Sequence, residues 1–432
     1  MTDSGPVPDD QRLSAIEAVA LVITLVVGIG VFKTPAVVAS LVGSEASLFG
    51  FWLVGGLLTL MGALCYAELA SCYPHTSGEL YYLERAYGPA IANLFGWSRL
   101  AVIQTGAIAL IAYIFGDYAR RIDPSLSSST YALLAVLCLT GLNAAHFGAG
   151  RWTMNILALI KGCGILLLLL IGLTAGHVQQ PAAQEGMQLM PQQSGLAMVY
   201  VLLAYGGWNE AAYLTADLRR RQQITVVLLA SVVIITTIYL LVNLAYLNVL
   251  GWETFVTAPS PAWNVVQSVL GAEWANFFGI FVALCALGAM NATMLTGARS
   301  TRAFLSHLPF ADGPCDDGDH RSLRRPLLMQ SAVALLLVGF GAFQRDGFEA
   351  MVAFTAPVFW IFMALIVFGL VRLRRQYPHA SQVYRVPFYP LTPLVFGVAC
   401  LFMIWESLLY AGTGALLGVL VLLLGLPIVR RM

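Results

Sequence analysis

The sequence predicts an all-α integral membrane protein of about twelve spans, and three observations carry that prediction. Of 432 residues, 59% are hydrophobic and only 10% are charged. A soluble domain carries roughly 25% charged residues, so a soluble chain this apolar could not cover its own surface. The apolar residues fall into long uniform runs rather than alternating ten-residue strands, which argues against a β-barrel. Arg and Lys are distributed unevenly between alternate loops, as membrane insertion requires.

The apolar runs occupy 13–42, 47–72, 90–120, 129–147, 152–175, 194–217, 223–250, 265–305, 326–344, 347–373, 389–409 and 412–429. Hydrocarbon offers no partner to free backbone groups, so each run is expected to be helical. The polar tail 1–12 holds Asp3, Asp9 and Asp10, and it lacks the basic start and small-residue cleavage site of a secretory signal. The first run is therefore expected to remain as a span.

With both termini in the cytoplasm, the inner loops collect Arg12, Arg85, Arg151, Arg219 to Arg221, Arg299, Arg302, Arg321, Arg324, Arg325, Arg372, Arg374, Arg375, Arg385, Arg430 and Arg431. The outer side holds Lys33, Arg120, Arg121 and Arg345, while Arg99 and Lys161 fall within spans. That asymmetry supports an even number of spans. Residues 73–89 are too polar to span and too aromatic for a free loop, and read as an interfacial helix. Residues 308–325, with Asp312, Asp316, Asp317 and Asp319, read as a solvated cytoplasmic loop.

Two spans are interrupted near their middles. The first contains Val27-Gly28-Ile29-Gly30-Val31 and the sixth Ala204-Tyr205-Gly206-Gly207-Trp208-Asn209. Glycine in a membrane helix can serve close packing alone. Paired interruptions in corresponding spans of two halves point instead to a transport site. With five spans per half, the halves are inverted. Glycine lets the chain unwind and lets a ligand approach the backbone. Unwinding exposes N–H groups at the start of one half-helix, which favour a carboxylate. It also exposes carbonyls at the end of the other, which favour an ammonium. One such site suits a zwitterion, an α-amino acid.

Lys161 lies deep in the fifth span, and an intramembrane charge is a functional candidate by default. It is a candidate for proton coupling or for a fixed cation against unwound backbone. Glu17 and Glu68 lie near the cytoplasmic ends of the first two spans and are candidates to pair with basic residues there. Asp117 lies near Arg120 and Arg121, and Glu406 has no evident partner.

Other function classes find less support. The seven cysteines fit no metal spacing. His75, His177, His307, His320 and His379 lie in loops and His146 at a span end, so no catalytic constellation sits within the spans. No basic domain stands apart for nucleic acid. A channel would need a polar pore lining that the spans do not offer.

Several ordered stretches bear a family resemblance. Gly28-Ile29-Gly30-Val31-Phe32-Lys33-Thr34-Pro35 resembles the Gly-x-Gly-Ile-Phe first-span pattern of the amino acid–polyamine–organocation permeases, especially their L-type amino acid transporter branch. Tyr66-Ala67-Glu68-Leu69 with Pro74, Ser77-Gly78, Tyr81 and Tyr87-Gly88 is similar to that family's second-span signature. Ala204 to Asn209, Gly297-Ala298-Arg299 and Tyr384 to Pro393 match later stretches in order.

The resemblance implies a LeuT-like fold, a 5+5 inverted repeat with discontinuous helices 1 and 6. It divides the chain into a tail 1–12, a first repeat 13–175, a second repeat 194–373, and two further helices with a cytoplasmic tail over 389–432. It implies a carboxylate site on backbone of Gly28, Ile29 and Gly30, and an amino-group site on backbone around Leu203, Ala204, Tyr205 and Gly206. Lys161 matches the fifth-span lysine that replaces a sodium ion in sodium-independent members. Trp360 matches a pocket aromatic. Gln104, Thr105, Met290 and Asn291 are added as side-chain candidates from their depth.

The chain departs from the pattern at Ile29, where many members carry serine. It departs also at Leu203, where a gating phenylalanine is common, and after span six, where Asp217 stands as the one acid before Arg219. The expected function is sodium-independent secondary transport of neutral L-amino acids, by proton coupling or exchange, in a cell membrane of bacterial inner-membrane type. The alternative is a family member for amines or cationic substrates, for which Glu210 is the candidate pocket acid. Expected partners are the amino acid, membrane lipid and protons; no cofactor, metal or nucleic acid is expected.

Overall fold

The computed structural model describes residues 14–73, 75, 77–145, 151–175, 193–211, 218, 223–305, 323–377, 384–410 and 412–427. The acidic loop 308–325 lies almost wholly outside them, as do the N-terminal tail, Asp217 and Arg219 to Arg221. The regular structure of the described residues is helical.

In chain order the helices are α1 (Ala15–Val26), α2 (Thr34–Leu41), α3 (Glu45–Cys72), α4 (Glu79–Tyr87), α5 (Pro89–Ser98), α6 (Gln104–Ile122), α7 (Ser128–Ala145) and α8 (Arg151–Thr174). There follow α9 (Ser194–Ala204), α10 (Trp208–Ala211), α11 (Ile224–Thr257), α12 (Pro261–Leu270), α13 (Ala272–Leu305), α14 (Arg324–Gly341), α15 (Gly347–Gln376), α16 (Leu391–Tyr410) and α17 (Gly412–Leu424). Every apolar run read from the sequence holds helix. Among the described residues, seven segments are long and apolar enough to cross a membrane, and α1, α9, α17 and part of α8 are shorter apolar helices. Large side chains face outward without cover, among them Leu336 (74% exposed), Phe277 (67%) and Trp405 (63%). Water would penalise such a surface; lipid tails accept it.

Local signals set the ends. Ser14 and Glu17 form a reciprocal capping box at the start of α1. The Asp346 side chain accepts the Glu349 amide at 3.0 Å and caps α15. Gly88 adopts φ +91° between α4 and α5, a conformation costly to any residue with a Cβ, and Pro89 then starts α5. Helices touch where small residues admit them. A Cβ on Gly418 of α17 would stand 2.1 Å from the Phe354 carbonyl oxygen of α15, so the two helices meet at backbone distance.

Three expectations change, and a fourth is sharpened. Residues 265–305 hold two helices, because Gly271 with φ +91° separates α12 from α13. The third span, 90–120, is not one regular helix: five π-helical residues, Arg99–Ile103, join α5 to α6. Within 73–89, helix α4 packs one face onto the bundle and leaves Glu84 and Arg85 of the other exposed. Glu79, Tyr82, Leu83 and Ala86 are buried, and α4 packs against α5 and α15. Lys33, read as an outer-loop cation, is 4% exposed and buried in an ion cluster.

Candidate substrate cavity

Both glycine clusters break their helices. α1 stops at Val26; Val27 (φ −71°, ψ 81°) makes a γ-type turn that closes Gly28 N–H onto the Val26 carbonyl at 2.7 Å. A short 3₁₀ turn, Ile29–Phe32, then leads into α2. The amides of Ile29 and Gly30 open that turn, where helix geometry supplies no internal acceptor. α9 stops at Ala204, the Gly206 N–H closes onto the Leu203 carbonyl at 2.9 Å, and Gly207 takes φ +106° before α10.

The freed carbonyls are met by phenols from neighbouring helices. Tyr239 of α11 donates to the Ala204 oxygen at 2.7 Å and lies 3.3 Å from the Val26 oxygen, so one hydroxyl bridges the two breaks. Tyr246, one heptad further on, donates to the Val31 oxygen at 3.1 Å. Tyr118 of α6 reaches the Phe32 oxygen at 3.3 Å. Each removes a buried acceptor that would otherwise lose its hydrogen bond.

A cavity of about 480 Å³ lies where the breaks meet. Its walls include Gly28, Gly30 and Val31 from the first break and Leu203, Ala204, Gly206 and Gly207 from the second. α6 contributes Gln104, Ala107 and Ile111; α13 contributes Ala289 and Thr293; α15 contributes Thr355 and Phe359. Lys161 of α8 lines it too, and its Nζ donates to the Thr24 carbonyl at 2.7 Å. Thr24 is in the last turn of α1, so the ammonium sits at the negative end of a half-helix.

The sequence-selected residues divide in two. Gly28, Gly30, Leu203, Ala204, Gly206, Gln104 and Lys161 line the cavity. Thr105, Tyr205, Met290, Asn291 and Trp360 do not. Tyr205 turns away to donate to the Trp52 carbonyl at 2.9 Å. Asn291 accepts from Asn143 at 2.6 Å, linking α13 to α7. Trp360 is 2% exposed, with its ring against Phe359, which does line the cavity. Adjacent positions on a helix diverge by about 100°, so depth alone selects the wrong neighbour as often as the right one. Gln104, which faces the cavity, also donates to the Thr293 carbonyl at 2.8 Å and ties α6 to α13. The Ile29 side chain and that of Glu210 lie outside the described residues.

Charged clusters lie beside the cavity on two sides. On one side Lys33, directly after the first break, binds Asp117 of α6 at 2.6 Å and Asp346 at the head of α15 at 3.1 Å. Its Nζ also lies 4.8 Å from the Phe348 ring centre. Ser128 steadies Asp117 from α7 at 2.6 Å. On the other side Glu79 of α4 accepts from Arg99 (3.3 Å), Asn209 (3.1 Å) and Tyr66 (3.0 Å). Glu79, Arg99 and Asn209 all line the cavity. Beyond them Glu68, expected near basic residues, receives two bonds from Arg374 at 2.5 and 2.6 Å and one from the Val386 amide.

Sequence reasoning missed Glu79 as a cavity acid and missed the phenols at the breaks. A signal for the latter existed: Tyr239 and Tyr246 are seven apart in an otherwise apolar run, hence on one helix face. Among the described residues no group of three His, Cys, Asp or Glu is placed to hold a metal ion.

The model of one protein family, described as amino acid permease, matches residues 13–423. The chain belongs to the amino acid permease family. The permease is similar to the human "Cystine/glutamate transporter", at 26% identity over 96% of this chain and 84% of the relative. It is similar to the "Serine/threonine exchanger SteT" of Bacillus subtilis (strain 168), at 26% identity over 97% of this chain and 96% of the relative. It is also 26% identical to the mouse "b(0,+)-type amino acid transporter 1", over 91% of this chain and 82% of the relative. The family consists of transporters rather than enzymes, and the apolar helices make the permease a multi-pass membrane protein.

Proposed function

We propose that the permease exchanges neutral amino acids across the membrane by alternating access. In this reading twelve spans form two inverted five-span repeats plus α16 and α17, both termini lie in the cytoplasm, and the Lys33 end of the cavity faces outward. The observation that carries the reading is the meeting of both breaks in one cavity. The substrate carboxylate is assigned to the amides of Ile29 and Gly30, at a helix start. The ammonium is assigned to the carbonyls of Leu203, Ala204 and Gly206. Ala204 keeps a second lone pair beyond the Tyr239 bond.

The wall chemistry supports a neutral substrate. The charged cavity residues are Lys161, Glu79 and Arg99, and the last two neutralise each other. Ala107, Ile111 and Ala289 offer small apolar surface to a side chain. Lys161 holds the Thr24 carbonyl, which supports operation without sodium: a cation already fills that end of α1. The similarity to a Bacillus serine/threonine exchanger supports exchange. Glu79 favours a second reading, an amine or cationic substrate, provided Arg99 releases it.

Uptake into proteoliposomes tests these assignments. Vesicles are prepared with or without internal unlabelled amino acids, and single labelled amino acids are added outside without sodium at two pH gradients. Uptake that requires internal amino acid supports exchange; uptake that follows the proton gradient replaces exchange with proton coupling. Uptake of a labelled diamine but of no amino acid replaces the first reading with the second.

A further inference from the structure

At one end of the bundle, exposed arginines rest on tyrosine rings instead of on acids. The Arg85 guanidinium of α4 lies 5.2 Å from the ring centre of Tyr377, the residue that ends α15. It lies 5.3 Å from the Tyr73 ring centre and donates to the Tyr81 hydroxyl at 3.0 Å. In return, the Arg372 guanidinium of α15 lies 5.4 Å from the ring centre of Tyr87 in α4. The two helices thus place arginines on each other's tyrosines. A ring attracts a guanidinium and fixes its plane without neutralising its charge.

The charge left over is uncompensated. Arg85, Arg372, Arg375 and Arg385 are exposed, and among the described residues none of them makes an ion pair. The nearby buried acids are engaged elsewhere. Glu68 binds Arg374 and the Val386 amide, beside Arg385, and Glu79 binds Arg99. Glu84 of α4 is exposed. This charged surface adjoins an apolar one: Phe388 is 81% exposed, and the outward face of α16 begins with Leu391, Leu394 and Val398. Lipid-facing apolar surface ends where headgroups begin, so the arginines stand at headgroup depth.

We propose that the surface formed by α4, the end of α15 and the segment 385–391 binds the headgroup of an anionic phospholipid. Four guanidiniums against the one exposed carboxylate of Glu84 supply the charge complementarity. A guanidinium meets phosphate oxygens with paired N–H donors. The ring contacts hold Arg85 and Arg372 in place beforehand, which lowers the cost of ordering them on binding. Four or more basic residues at the ends of spanning helices form the pattern that recognises such lipids. The acyl chains then run along the outward face of α16. α4 and α15 also line the substrate cavity, through Glu79 and Phe359, so a headgroup seated on both stiffens one wall of it.

The test uses the full-length protein in nanodiscs of mixed phosphatidylcholine and phosphatidylglycerol. Lipids that stay bound after transfer to detergent are counted by native mass spectrometry. Wild type is expected to retain phosphatidylglycerol in preference to phosphatidylcholine. Arg85→Gln and Arg372→Gln are each expected to reduce that preference about fivefold, with Tm recorded to confirm that they fold. Arg85→Lys keeps the charge but loses the planar contact with the rings, and is expected to fall between wild type and Arg85→Gln. Equal retention of both lipids by wild type, or an unchanged preference in either glutamine variant, overturns the proposal. An Arg85→Lys variant that matches wild type also overturns it, by reducing the site to diffuse charge. Displacement of the bound phosphatidylglycerol by soluble glycerol phosphate overturns it in favour of a soluble phosphate ligand. No outcome depends on which substrate the permease carries.

Discussion

Gly30→Val separates the backbone site from its scaffold. A Cβ on Gly30 would meet the Thr34 hydroxyl at 3.4 Å, an ordinary contact, and Gly30 has no left-handed φ that would oppose a side chain. The variant is therefore expected to fold. Gly30 lines the cavity, so the added carbons occupy the space in which a carboxylate approaches the amides. A hydrogen bond to a charged group contributes about 1.5–3 kcal/mol, so losing one weakens binding by about 10- to 150-fold. Gly206→Ala is the contrasting control: its Cβ would stand 2.8 Å from the Leu203 carbonyl oxygen, inside the turn that ends α9. That variant should lose thermal stability as well as binding. The assay is equilibrium binding of the best substrate from the uptake panel, with Tm measured in parallel. Wild-type affinity in folded Gly30→Val would refute the backbone-site assignment.

Three further outcomes follow from the geometry. Lys161→Gln removes the ammonium from the Thr24 carbonyl; uptake should fall about tenfold or more, and its pH profile should change. An unaltered profile would leave Lys161 a static cation. Glu68→Gln leaves the partly exposed Arg374 with a neutral partner and should cost about 1–3 kcal/mol, read as a lower Tm in detergent; an unchanged Tm would show the pair to be dispensable. Gly418→Ala pushes a methyl onto the Phe354 carbonyl and should destabilise by about 1–3 kcal/mol. Thermal unfolding at the wild-type temperature would show that α17 can move away from α15 without loss.

Much of the candidate cavity was legible where its lining is backbone. Gly28, Gly30 and Gly206 were found because glycine pairs within apolar runs have few uses, and their placement in spans one and six narrowed those uses further. Lys161 was found because a charge in hydrocarbon always needs an explanation. Side-chain selections fared differently. Gln104 faces the cavity while Thr105 does not, and nothing in the run Ile103-Gln104-Thr105-Gly106 distinguishes them without the rotation of α6. That rotation is shifted by the π-helical turn at Arg99–Ile103, which no periodicity announced.

The sequence by itself determined the environment, the helices and the two interruptions, because these rest on local properties: hydropathy over a window, glycine's conformational range and the cost of a buried charge. It could not determine partners. That Lys33 joins Asp117 and Asp346, across separations of 84 and 313 residues, depends on how α2, α6 and α15 converge. That Tyr239 meets Ala204 depends on α11 crossing behind both breaks. Glu79 became a cavity residue only because α4 packs against α15 with that face turned inward. Hydrogen bonds and ion pairs are directional and short, so their partners are fixed by packing, and packing is decided by the whole bundle at once.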